Sequence, residues 1–123
     1  MEVKCPFKHH GQTVEEACKD ETFCCTLVDG CMKLKQDHSY YLQVQGQLAS
    51  TGLHWCDFVV WLGSPEKMAC KRIQLCHEFW FQVMLPGLTS FYHSHAKPFL
   101  EGLGLASRNM VSQLLVLQSP VNL

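Results

Sequence analysis

Polar and apolar positions alternate from the first residues of the chain, where Glu2 and Lys4 flank Val3. Strand side chains change face with a period of two, so this pattern predicts a strand with Glu2 and Lys4 together on one face and Val3 turned into a core. Pro6 ends regular pairing, and Phe7-Lys8-His9-His10-Gly11 reads as a polar turn with both histidines solvated, a contact to phosphate or metal being the alternative. Thr13 followed by Glu16 has the form of a capping box, predicting a short helix over 13–20 that Glu15, Glu16, Asp20 and Glu21 make acidic. Next, residues 23–28 and 31–34 flank Asp29-Gly30, a dipeptide favoured in type I′ hairpin turns. These two segments read as a small hairpin or as a pair of irregular extended segments, with Cys24-Cys25 as packing residues.

From Tyr40 to Ser50 the period changes to that of a helix, with Asp37 or Ser39 as cap and Gly52 as terminator. Tyr40, Tyr41, Val44, Leu48 and Thr51 share one arc, while Gln43, Gln47 and Ser50 share the next. The first arc suits packing on a sheet; the glutamine arc is then left at the sheet's edge. Residues 54–62 form a strand apolar on both faces, with Trp55, Val59 and Trp61 on one side and Cys56, Phe58, Val60 and Leu62 on the other. Asp57 interrupts it and reads as a hydrogen-bonded structural aspartate.

After the turn at Gly63-Ser64-Pro65, residues 67–74 predict another short strand containing the adjacent bases Lys71 and Arg72, candidates for holding a DNA phosphate. Apolar residues from Phe79 to Tyr92 recur at helical spacing, with Pro86-Gly87 placed to kink or split the helix. Glu101-Gly102-Leu103-Gly104 is linker-like, and residues 101–123 form an unassigned tail in which 110–117 suggests a short apolar helix ending before Pro120.

Three blocks recur together in one known setting: Glu2-Val3-Lys4-Cys5-Pro6-Phe7, then Tyr40-Tyr41-Leu42-Gln43-Val44-Gln45-Gly46-Gln47 with Thr51-Gly52, then Trp55-Cys56-Asp57-Phe58-Val59-Val60-Trp61. In this order and spacing they resemble the YqaJ-like viral recombinase domain, the lambda-exonuclease branch of the PD-(D/E)XK nuclease superfamily, over residues 1–100. The resemblance implies an α/β class with a partial PD-(D/E)XK nuclease fold, a central mixed sheet flanked by helices. It implies DNA as partner and substrate, and Mg²⁺ or Mn²⁺ held by Glu2 and the Val3 carbonyl. Lys4 would activate water, with Gln43 positioning it and Gln45 in a supporting role. The family also places an aspartate ligand on a strand before the acid-x-lysine strand, and the chain has no residues there. The expected function is therefore a metal-dependent DNA exonuclease domain, truncated and dependent on a missing carboxylate. The alternative is a non-catalytic DNA- or protein-binding remnant. A homo-oligomer, or the remainder of a longer chain, is the other expected partner.

Composition adjusts this picture in two places. The 123 residues suffice for one modest domain, and a net charge of −1 supplies no global basic field, so any nucleic-acid contact must be local. Eight cysteines suggest a disulfide framework, yet the charged N-terminus has no leader-like run and no eighteen-residue apolar stretch is present. An intracellular, reducing setting with free thiols follows as the expectation, the nucleus included if the source is eukaryotic, with no membrane contact. No Cys-x-x-Cys pair occurs, and the histidine spacing does not complete a zinc finger.

Overall fold

The computed structural model describes residues 1–104 of the chain. The helix expected over 110–117, its stop at Pro120 and all but the first residues of the tail lie outside the described residues. The protein is mixed α/β and divides into two compact units at Leu75–Cys76, inside the 1–100 span.

In the first unit, strands β1 (Glu2–Lys4), β4 (Trp55–Trp61) and β5 (Met68–Gln74) form a mixed sheet in the order β1-β4-β5. β1 runs parallel to β4, with Glu2 opposite Phe58 and Lys4 opposite Val60; β5 runs antiparallel to β4, with Lys71 opposite Phe58. Facing residues in neighbouring strands share a sheet face. Glu2, Lys4, Phe58, Val60, Lys71 and Ile73 therefore stand on one side, and Val3, Trp55, Asp57, Val59 and Arg72 on the other.

Helix α2 (Ser39–Thr51) supplies buried Tyr41, Val44, Gln45 and Leu48. The expected apolar arc thus holds at three positions, and Gln45 joins it because its amide donates to the Gln74 carbonyl at 2.9 Å. The cap differs from expectation. His38 rather than Asp37 or Ser39 closes the N-terminus, its Nδ1 accepting from the Tyr40 N–H at 3.1 Å. An unprotonated imidazole nitrogen does there what a short oxygen side chain ordinarily does. Gly52 ends the helix at φ 71°, as its lack of Cβ allows.

On β4, Cys56, Phe58, Val60 and Val59 are buried, as is Leu62 just beyond it. Two-sided burial fails at the start of the strand, where Trp55 is half exposed. Its indole is covered by the Arg72 guanidinium, whose carbon lies 3.6 Å from the ring centroid. Asp57 is the structural aspartate expected, held by Arg72.

Thr13 caps α1 (Val14–Ala17) with both bonds of a capping box. Strands β2 (Cys25–Val28) and β3 (Cys31–Leu34) pair antiparallel, so the hairpin is regular rather than a pair of irregular segments. Asp29 at φ 51° and Gly30 at φ 76° are the two positive-φ residues of its turn. His9 departs from expectation: it is buried, with its ring 4.8 Å from Phe23 and Nδ1 2.9 Å from Gln12 Oε1. The 3₁₀ turn Phe7–His9 rotates it inward, leaving His10 outside.

The second unit, within the described residues, is helical from α3 (His77–Phe79) through α4 (Leu85–Phe91) to α5 (Lys97–Gly102), joined by π turns at Trp80–Met84 and Tyr92–Ala96. Each π turn ends just before a proline. Leu85 N–H bonds to Trp80 O ahead of Pro86, and Lys97 N–H bonds to Tyr92 O ahead of Pro98. A proline ring collides with the carbonyl four residues back and has no N–H to give it, so a widened turn lets the helix pass, including at Pro86-Gly87, where a kink or split was expected. The extra residue per turn also rotates the apolar stripe. Trp80, Leu85 and Tyr92 are buried, whereas Val83, Leu88 and Phe91, expected on the same stripe, are exposed.

Candidate carboxylate, lysine and glutamine site

The acid-x-lysine strand and the glutamine arc meet. β1 carries Glu2 and Lys4 on the face that α2 approaches, and Gln43 and Gln47, one helical turn apart, reach down to them. The Lys4 ammonium lies 3.1 Å from Glu2 Oε1 and donates to Gln43 Oε1 at 2.8 Å. Gln43 in turn donates through Nε2 to Glu2 Oε1 at 3.4 Å, and Gln47 Nε2 donates to Glu2 Oε2 at 3.3 Å. The ammonium also lies over the Tyr40 ring, 4.2 Å from its centroid.

The four polar side chains thus form one connected network across some 40 residues of chain, with Lys4 18% and Glu2 21% exposed at the side chain. Such partial burial keeps the pair reachable from solvent while weakening its screening. The hydrogen bond from Lys4 holds the Glu2 carboxyl below its usual range; partial burial opposes this, and the Gln47 and Gln43 amides reinforce it.

Each residue expected at the site has a definite place. Glu2, Lys4 and Gln43 are together. Val3 turns its side chain to the opposite face and is half exposed, so only its main-chain carbonyl is relevant to ligation. Both ends of the Gln43 amide are engaged by Lys4 and Glu2, which makes it a bridge between them rather than a group held ready for water. Lys71 and Arg72 cannot grip one phosphate together, because adjacent strand residues face opposite ways and Arg72 is committed to Asp57. Tyr40 is a site residue expected only to pack on the sheet, and Gln47, expected on the glutamine arc as an amide able to bond a metal-bound water or a phosphate oxygen, instead bonds Glu2 directly. The signal was present in the Gln43-to-Gln47 spacing, since residues four apart on a helix lie one above the other.

The fit of a divalent cation follows from the donor set. Mg²⁺ and Mn²⁺ take oxygen ligands, and two-ion phosphodiester hydrolysis uses carboxylates to hold both ions. The cluster offers one carboxylate that already accepts three N–H contacts, and among the described residues no group of three or more His, Cys, Asp or Glu gathers to hold a metal. These residues do not by themselves complete a cation site.

Elsewhere, all eight cysteines are free thiols, with Cys24 Sγ 3.7 Å from Cys25 Sγ in the interior. Among the described residues no helix is long and apolar enough to cross a membrane. No family model matches the chain, and neither a curated protein nor a solved structure matches it.

Proposed function

We propose that the chain carries part of a DNA nuclease domain of the YqaJ-like, PD-(D/E)XK type, in which Glu2, Lys4 and Gln43 form the surviving portion of a phosphodiester-cleaving site. The observation behind this reading is the meeting of those three side chains on one sheet face, from positions 39 and 41 residues apart. The acid-x-lysine pattern is common on solvated strands. A pattern that also closes on a helix amide through bonds of 2.8 and 3.4 Å is not accounted for by solvation.

The residues divide the work by their chemistry. Lys4 brings a positive charge to the face, suited to the negative charge that builds on a phosphate oxygen during hydrolysis. Glu2, kept ionised by Lys4 and the amides, is an acceptor for a water or a ligand. Gln43 sets the distance between them. Because no second carboxylate among the described residues joins Glu2 in this cluster, two-ion hydrolysis requires one brought to it. The competing reading, a domain that holds DNA or protein without cutting, is favoured by the same shortfall.

One experiment separates these. The purified chain is mixed with linear duplex DNA and titrated with Mn²⁺. Digestion that disappears in both Glu2→Ala and Lys4→Ala supports the nuclease. DNA retention without cleavage, equal in all three proteins, moves the assignment to the binding module. With neither cleavage nor retention, the nucleic-acid reading is abandoned.

A further inference from the structure

Donor and acceptor chemistry fixes how the cluster is oriented. An ammonium only donates, so Gln43 must present its oxygen to Lys4, which turns its NH₂ toward Glu2. Glu2 Oε1 therefore receives two donors, Lys4 Nζ at 3.1 Å and Gln43 Nε2 at 3.4 Å, while Oε2 receives only Gln47 Nε2 at 3.3 Å. A carboxylate has about four lone-pair positions, two on each oxygen. Among the described residues, Oε1 is filled and Oε2 keeps one position open.

We infer that Gln47 is a positioning residue that fixes the single direction from which Glu2 can accept a further ligand, such as a water hydrogen, through Oε2. This deepens the nuclease reading and rests on it for the identity of Glu2 as the site carboxylate. Without the Gln47 amide, both positions on Oε2 open and the carboxylate is free to rotate about its connection to Oε1. Gln47 is exposed on the helix surface, so its amide contributes little packing and its contact with Glu2 is separable from folding. The charged group facing Glu2 is Lys4, which also sits over the Tyr40 ring and is untouched by a change at Gln47.

The test compares crystal structures of the full chain, grown at neutral pH without divalent metal, for the native protein, Gln47→Leu and Gln47→Lys. Leucine removes the donor at similar size, and the Glu2 carboxylate turns out of its native plane or carries two ordered waters on Oε2. Lysine restores a donor to Oε2 and returns the carboxylate to its native orientation with one open position. A carboxylate whose orientation and waters are unchanged in Gln47→Leu, or displaced equally in both variants, overturns the assignment. Where the chain cleaves DNA with Mn²⁺, Gln47→Leu cleaves more slowly and Gln47→Lys regains part of the rate. A chain that cleaves no DNA removes the nuclease reading, while the carboxylate orientation still decides the role of Gln47.

Discussion

Arg72 grips Asp57 in a fork, with Nε 2.9 Å from Oδ1 and a terminal nitrogen 3.1 Å from Oδ2. The two residues lie directly opposite each other on β5 and β4, and the guanidinium completes the arrangement by covering Trp55. A planar fork that bonds a carboxylate and stacks on an indole uses the geometry that separates arginine from lysine. Arg72→Ala is expected to lower the thermal midpoint, Arg72→Lys to lower it less, and Lys71→Ala to leave it in place, as followed by circular dichroism. The Asp57 carboxyl is held low by Arg72, so the pair's stabilisation is present above the ordinary aspartate pKa and fades as pH falls through the depressed one.

The same division of faces makes a prediction about nucleic acid. Lys71 shares its face with Glu2 and Lys4, whereas Arg72 does not. If the chain retains DNA, Lys71→Ala reduces the slope of log affinity against log salt by about one, the signature of one lost phosphate contact. Arg72→Ala leaves that slope unchanged. Fluorescence anisotropy across a salt series reads both, and equal effects from the two variants would contradict the arrangement of faces.

Lys4 is the main cause of the low Glu2 carboxyl pKa, which gives a second pH effect. Stability from this pair is fully present above the unfolded glutamate value of about 4.3 and is lost as pH falls through the lower folded value. Lys4→Met raises the folded value toward the unfolded one. Urea unfolding at neutral and at acid pH should therefore differ less in Lys4→Met than in the native chain, and an unchanged difference would show that Lys4 does not set it.

Two local devices predict losses of known size. Thr13→Ala removes the capping-box acceptor from Glu16 N–H and should cost about 1 kcal/mol. Gly30→Ala places a Cβ at φ 76° in open space, so the cost is backbone strain alone, roughly 1–2 kcal/mol. In the core, Phe58→Ala empties a fully buried position and should cost about 3–5 kcal/mol. Denaturant midpoints at constant slope measure all three.

Thiol accessibility gives the last prediction. Cys5, Cys31 and Cys70 are exposed, while Cys24, Cys25 and Cys56 are buried. The Cys25 thiol is pushed up by its contact with Cys24 and by burial, which disfavours the reactive thiolate. Brief alkylation of the native chain, read by mass spectrometry, should label Cys5, Cys31 and Cys70 first, with Cys24 and Cys25 reacting only after denaturation.

Much of the local structure was legible because it depends on neighbours in sequence. Thr13 and Glu16 make a cap between themselves, Asp29-Gly30 makes a turn between themselves, and Gly52 ends a helix through its own φ. The helix N-cap was misread because His38 bonds through a ring nitrogen, outside the oxygen-bearing residues that usually mark such a position. The aromatic helix was misread because proline-driven π turns shift its period, and a count at 100° per residue loses register after each one.

Alternation along β1 was enough to put Glu2 and Lys4 on one face, and helical spacing was enough to put Gln43 beside Gln47. Which face of β1 looks toward α2, and how far each glutamine reaches, depended on the parallel pairing of β1 with β4 and on burial of Val44, Gln45 and Leu48. Likewise, the adjacency of Lys71 and Arg72 is a fact of sequence, but their separation came from the pleat, and the loss of Arg72 to Asp57 from the register of β4 with β5. Local chemistry is written in neighbouring residues; the partners of a side chain are chosen only when burial of apolar surface brings distant strands and helices together.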